Sequence, residues 1–116
     1  VGNHVYIGSY ALFGSVALEN HTLVGSRVSI LSAHPLHELD EDGYWTPYDP
    51  DLLERITIGE NTWIGEAAVI GADIGSGAMI GAGSVVTTPI RGSIVVAGNP
   101  ARFVRKLEIG DEAERA

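Results

Sequence analysis

Apolar and small residues recur along this chain on a six-residue beat. An aliphatic or aromatic residue is followed by glycine at Val1-Gly2, Ile7-Gly8, Phe13-Gly14, Val24-Gly25, Ile58-Gly59, Ile64-Gly65, Ile70-Gly71 and Ile80-Gly81. A period of six fits neither an amphipathic helix nor a simple alternating strand. It predicts a hexapeptide solenoid, in which short strands and tight turns wind so that one residue per repeat stacks inside. Four positions after each aliphatic residue stands a small or branched one, Val5, Ala11, Thr22, Val28, Thr62, Ala68, Ala78 or Ser84, as a narrow interior requires. The glycines are expected at the turns, where bulk or a restricted φ would stop the chain bending. The spacing slips between Phe13 and Leu18 and between Ile70 and Ile74, so the coil is expected to cut a corner at both places.

The beat pauses once. Between Ile30 and Ile56 it gives way to SAHPLHELDEDGYWTPYDPDLLER, too polar and too rich in Pro, Gly and Asp to continue the coils. A long excursion from a rigid scaffold is usually functional. Residues 34–55 are read as that loop. Tyr44, Trp45 and Tyr48 stand in it among carboxylates, a mixture suited to a polyhydroxylated ligand or, equally, to a solvated loop whose rings pack on a neighbour.

Composition adds bounds rather than a new picture. With 116 residues, 45% of them hydrophobic, and 15 glycines, the chain is expected to form a single β-helix domain over 1–116. Because Val1 begins inside a repeat, it is read as a possible fragment or C-terminal domain of a longer chain. No cysteine is present, so thiolate catalysis and disulfides are not available to it. The formal charge of −8 argues against a nucleic-acid partner. No signal peptide or run of membrane-spanning length occurs, and a cytoplasmic location is expected. The acidic residues crowd between Glu38 and Glu54, whereas Arg91, Arg102, Arg105 and Lys106 concentrate positive charge near the C-terminus, where an anionic ligand would bind.

Four motifs in order carry a more specific resemblance: His34-Pro35-Leu36-His37-Glu38; Ile58-Gly59-Glu60-Asn61-Thr62-Trp63-Ile64-Gly65; Ile80-Gly81-Ala82-Gly83-Ser84-Val85-Val86; and Ala97-Gly98-Asn99-Pro100-Ala101-Arg102. From about Thr22 to Leu107 the chain resembles the hexapeptide-repeat acyltransferases, nearest to the maltose, galactoside and nodulation-factor O-acetyltransferases. The fold expected is all-β, a parallel β-helix of about four coils closed by a short C-terminal tail with room for a helical turn, and the resemblance implies that the helix is left-handed. It also implies an acetyl-CoA-dependent O-acetyltransferase acting on a hydroxyl of a saccharide, in a homotrimer with sites between subunits. His34 matches the general base, a role imidazole suits near neutral pH. Transfer is direct, without an acyl-enzyme, and no metal is expected. The backbone N–H of Glu66 matches the oxyanion donor, with Gly65 allowing close approach.

For acetyl-CoA the resemblance implies Trp63, Gly65, Gly81, Ala82, Thr88, Arg91, Asn99 and Arg102. Thr88 stands where many relatives have a lysine near CoA phosphate, and Arg91 is the candidate replacement. Asn20 is a candidate acceptor ligand by position, and Tyr44 and Trp45 by chemistry. Counting the shortened repeat places His4 over His21 and Asn3 over Asn20, as a solvent-exposed polar ladder or as site residues. Two alternatives stay open. One is a trimeric carbonic-anhydrase-like zinc protein drawing on His4, His21, His34 and His37, where three ligands must converge at about 2.1 Å; the other is a non-catalytic scaffold.

Overall fold

The computed structural model describes residues 1–32 and 37–108. They form a left-handed parallel β-helix with three faces. The first face stacks β1 (Tyr6–Ile7), β4 (Leu23–Val24), β7 (Trp63–Ile64), β9 (Met79–Ile80) and β11 (Ile94–Ala97). The second stacks β2 (Leu12–Phe13), β5 (Ser29–Ile30), β8 (Val69–Ile70) and β10 (Val85–Val86). The third pairs β3 (Val16–Leu18) with β6 (Ile56–Ile58) and continues through single bridges at Ile74 and Ile90.

In each two-residue strand the second residue turns inward, and on the third face Leu18 and Ile58 do so at the ends of β3 and β6. Val24, Ile64, Ile80 and Val96 make one buried column, Ile30, Ile70 and Val86 a second, and Leu18, Ile58 and Ile74 a third. Burying one such side chain contributes roughly 1.5–3 kcal/mol, so these columns hold the coils together. The small residues expected between them are buried too: Thr22, Val28, Thr62, Ala68, Ala78 and Ser84. The buried Thr22 and Thr62 hydroxyls donate to the carbonyls of Glu19 and Gly59, at 2.6 and 2.7 Å, which offsets the cost of removing them from water. At the first coil the inward side chains Ile7 and Phe13 remain 40% and 37% exposed, with a coil stacked on one side of them only.

The slips in spacing fall at one place. Phe13 to Leu18, Ile70 to Ile74 and Val86 to Ile90 all cross the corner between the second and third faces. The coil step is therefore 17 residues between the first two coils and 16 later. The excursion leaves from this same corner, after Ile30. The other two corners each hold a residue at positive φ: His4, His21, Asn61, Gly77 and Ser93 at one, Tyr10, Arg27, Ala67 and Gly83 at the other.

The repeat glycines serve a different purpose from the one expected. They precede the positive-φ residues, and a Cβ at Gly8 would lie 2.5 Å from the backbone nitrogen of Ser26 in the next coil. Close passage of neighbouring coils, not φ, demands them.

Two further features add detail to the tail and the excursion. Arg102–Lys106 forms β12, antiparallel to β11, with Val96 opposite Phe103 and an irregularity between Val95 and Val96, so this part of the tail is a strand, not a helical turn. The excursion contains a small hairpin: Leu39 bridges Trp45, and Asp40 Oδ1 accepts from the N–H groups of Asp42 and Tyr44 at 2.9 Å each, shaping its turn. A 3-10 turn, Pro50–Leu52, returns the chain to the coil. Among the described residues no helix is long and apolar enough to cross a membrane.

Candidate functional site

At the corner between the first and second faces, successive coils place Ser26, Glu66, Ala82 and Gly98 in one column. Gly65 N–H donates to the Ile80 carbonyl at 2.7 Å and Gly81 N–H to the Val96 carbonyl at 2.9 Å, which fixes the stacking. Five of the expected residues, Gly65, Glu66, Gly81, Ala82 and Asn99, thus line a track parallel to the solenoid axis. At a spacing of about 4.8 Å per coil, the track from Glu66 to Asn99 rises roughly 10 Å.

The Glu66 N–H has no acceptor among the described residues, as an oxyanion donor requires. Ser26 and Ala82 share this property, so the repeat offers several such donors in line. A Cβ at Gly25 would sit 2.8 Å from the Glu66 nitrogen, whereas one at Gly65 would sit 2.5 Å from the Ala82 nitrogen. Gly25, one coil below, is therefore the residue that keeps the Glu66 N–H approachable. Arg27 Nη1 donates to Glu66 Oε1 at 3.4 Å and offsets a carboxylate charge that would oppose an anion beside that N–H.

Trp63 is half exposed on the outside of the first face. It stands in register between Leu23 and Met79, in an outward apolar row that runs Tyr6, Leu23, Trp63, Met79, Val95. This row was not anticipated. Its signal in the sequence is the paired apolar residue before each inward one, where outward alternation normally supplies a polar side chain.

Thr88, Arg91 and Arg102 lie apart from the track. They border a cleft of about 320 Å³ at the C-terminal end of the coils, floored by Ile90, Ile94, Val96 and Phe103. The Arg91 guanidinium stands 5.5 Å from the Phe103 ring centroid, a cation–π contact that holds it at the rim. Both arginines are exposed; Arg102 Nη1 donates to the Ala101 carbonyl at 3.3 Å, which leaves its other N–H groups for an anion. The structure thus divides the expected cofactor residues into an axial track and a terminal basic cleft.

His34 lies outside the described residues. His37 is described: its Nδ1 is 2.7 Å from the Thr46 carbonyl, and its ring borders an apolar pocket on the second face. Tyr44 and Trp45 sit on the projecting hairpin, 72% and 70% exposed, and line neither cavity. Asn20 Oδ1 accepts the Asn3 N–H at 2.7 Å, so the side chain is spent in part on joining the first two coils. His4 and His21 stack with centroids 5.0 Å apart and rings 12° from parallel, as the counted register requires. Stacked faces do not converge nitrogens on one ion. Among the described residues no group of three or more His, Cys, Asp or Glu is placed to hold a metal.

The profile of the hexapeptide repeat of succinyl-transferase matches residues 55–88. A comparison with curated protein sequences gives no match. Among solved structures, the chain is 25% identical to a hexapeptide-repeat acetyltransferase of Vibrio cholerae O1 biovar eltor complexed with acetyl coenzyme A, covering 92% of this chain and 59% of that one with a TM-score of 0.76. It is 28% identical to a maltose O-acetyltransferase of Clostridium difficile 630, covering 90% and 60% with a TM-score of 0.65. The polySia-specific acetyltransferase NeuO is 22% identical over 90% of this chain and 50% of that one, with a TM-score of 0.74, and speaks for the fold. The chain spans between half and three-fifths of the length of these proteins. The resemblance to hexapeptide-repeat acyltransferases drawn from the four motifs is borne out by the repeat and by these neighbours.

Proposed function

We propose that this chain is the β-helical part of an acetyl-CoA-dependent O-acetyltransferase whose acceptor is a saccharide hydroxyl. The observation that carries the reading is the axial track, in which the free N–H groups of Glu66 and Ala82 lead toward Gly98, whose N–H is held by Ser84 Oγ at 3.2 Å, and Asn99, with a basic cleft beyond. Such a track suits an extended pantetheine arm, and Arg102 and Arg91 suit the phosphates. In the proposed reaction His34 accepts the proton of the acceptor hydroxyl as its oxygen attacks the thioester carbonyl. The tetrahedral oxyanion is held by the Glu66 N–H. Collapse expels the CoA thiolate, which takes up the proton, and leaves the acetyl ester.

Glu66 and the root of the excursion stand at opposite ends of the second face. That separation supports a site completed by another copy, with His34 of one chain facing CoA held by the next in a homotrimer. A cytoplasmic location goes with the reading, because the thioester donor is an intracellular metabolite. The test is acceptor-dependent release of free thiol from acetyl-CoA over a panel of saccharides. Calorimetry with acetyl-CoA accompanies it; a chain that binds no acetyl-CoA and releases no thiol with any acceptor sinks the proposal.

A further inference from the structure

The apolar pocket beside His37 has a volume of about 540 Å³ and is bordered by Leu12, Phe13, Ile30 and Leu31, with Ser29, Ser32 and His37 as its polar groups. Its chemistry is set by the histidine. Nδ1 lies 2.7 Å from the carbonyl oxygen of Thr46, and a carbonyl only accepts, so Nδ1 carries the proton. In the neutral ring Nε2 then holds the lone pair, and it has no partner among the described residues. The ring is also fixed in direction. Thr46 is tied back to the same segment, its Oγ1 accepting the Glu38 N–H at 2.8 Å and its N–H donating to the Glu38 carbonyl at 2.7 Å. The hairpin therefore holds an imidazole acceptor at the edge of an apolar floor.

Ser32 supplies the complement. Its Oγ accepts the Ser15 N–H at 3.4 Å, which leaves the hydroxyl proton available for donation. An apolar floor with one oriented acceptor and a hydroxyl donor at its rim matches a ring that presents an apolar face and hydroxyls on its edge.

We propose that this pocket binds a cyclic polyol, with His37 Nε2 accepting a hydrogen bond from one of its hydroxyls. On the acetyl-transfer reading this ligand is the acceptor, and His37 is a positioning residue for it; the binding itself does not depend on that reading.

The test uses the whole chain and phenyl β-D-glucopyranoside as probe. Histidine ¹⁵N spectra, assigned with His37→Phe, should show His37 protonated at Nδ1. Titration should give saturable shifts at Nε2 and at the Leu12 and Leu31 methyl groups. Loss of the acceptor in His37→Phe should weaken binding roughly tenfold, as expected for one neutral hydrogen bond. His37→Gln, which keeps an acceptor oxygen, should recover part of that loss. Leu12→Ala, at an exposed position, should weaken binding through the floor without unfolding the coil. A proton on Nε2, shifts confined to other residues, no saturable shift, or equal losses in the Phe and Gln variants would overturn the proposal. Acetyl-CoA titrated separately by calorimetry tells the two readings apart: its failure to bind removes the transferase and leaves the pocket result standing.

Discussion

A methyl group on Gly25 would lie 2.8 Å from the backbone nitrogen of Glu66, so one glycine governs access to an N–H in the coil above it. Gly75 makes a similar approach, its added Cβ 2.4 Å from the nitrogen of Gly92, at a corner remote from the track. Both alanine variants should lose about 1–3 kcal/mol of stability by overpacking, read as a lower midpoint in chemical denaturation. If the Glu66 N–H stabilises the oxyanion, only Gly25→Ala should also lose kcat beyond what its folded fraction explains. Equal residual kcat in the two folded variants would remove the Glu66 N–H from the mechanism.

The terminal cleft yields a charge test. Arg102→Gln and Arg91→Gln should each weaken acetyl-CoA binding more than dephospho-acetyl-CoA binding if the residue meets the 3′-phosphate, since only the first ligand carries that group. Arg91 has a second tie, its contact with Phe103 at 5.5 Å. Phe103→Leu should therefore weaken acetyl-CoA binding in the same sense as Arg91→Gln, by about 0.5–1 kcal/mol for a lost exposed cation–π contact. Calorimetry showing equal losses for both ligands would mean that these arginines act through general field or packing.

Assembly has its own test. The outward row Tyr6, Leu23, Trp63, Met79 and Val95 places an apolar stripe on the first face, and a shared site needs that or another face covered by a second copy. Sedimentation should show a trimer, and dilution to monomer should abolish transfer together with assembly. Trp63→Glu should shift the equilibrium toward monomer if the stripe is the contact. A fully active monomer would contradict the shared site.

How far the sequence reads ahead depends on which physics decides each feature. The interior was legible because a buried column tolerates few residue types: Ile58, Ile64, Ile70 and Ile80 declare themselves by spacing, and their burial is complete. The stacking of His4 on His21 followed from counting, once the short repeat was allowed for. The glycine logic was half legible, because the beat shows where glycines fall but not that Gly25 faces Glu66 one coil away and 41 positions along the chain. The strand Arg102–Lys106 was hidden, since Arg-Phe-Val-Arg-Lys shows neither the hexapeptide period nor the alternation of a half-buried strand, and it pairs antiparallel across an irregularity. Nor did the sequence reveal the bond from His37 to Thr46, which depends on how the hairpin folds back. Motif order supplied the candidate site residues, and the division of Arg91 and Thr88 from Ala82 and Asn99 emerged only through the coil's geometry.

The mechanistic reading rests finally on His34. Replacing it with alanine removes the proposed proton acceptor while leaving the stacked columns, the axial track and the basic cleft in place. Loss of a general base should lower kcat by roughly 10²–10⁴-fold with acetyl-CoA affinity nearly unchanged. His37→Phe should behave differently, raising the acceptor KM more than it lowers kcat, because a positioning residue acts on binding of the acceptor. The pH profile separates the two further: the ionisation limiting kcat on the acid side should vanish in His34→Ala and persist in His37→Phe. If kcat instead falls by the base's factor in His37→Phe and stays near normal in a folded His34→Ala assembly, the roles are reversed. The oriented Nε2 of His37 would then be the proton acceptor, and the His34-Pro35 motif would serve only to launch the loop.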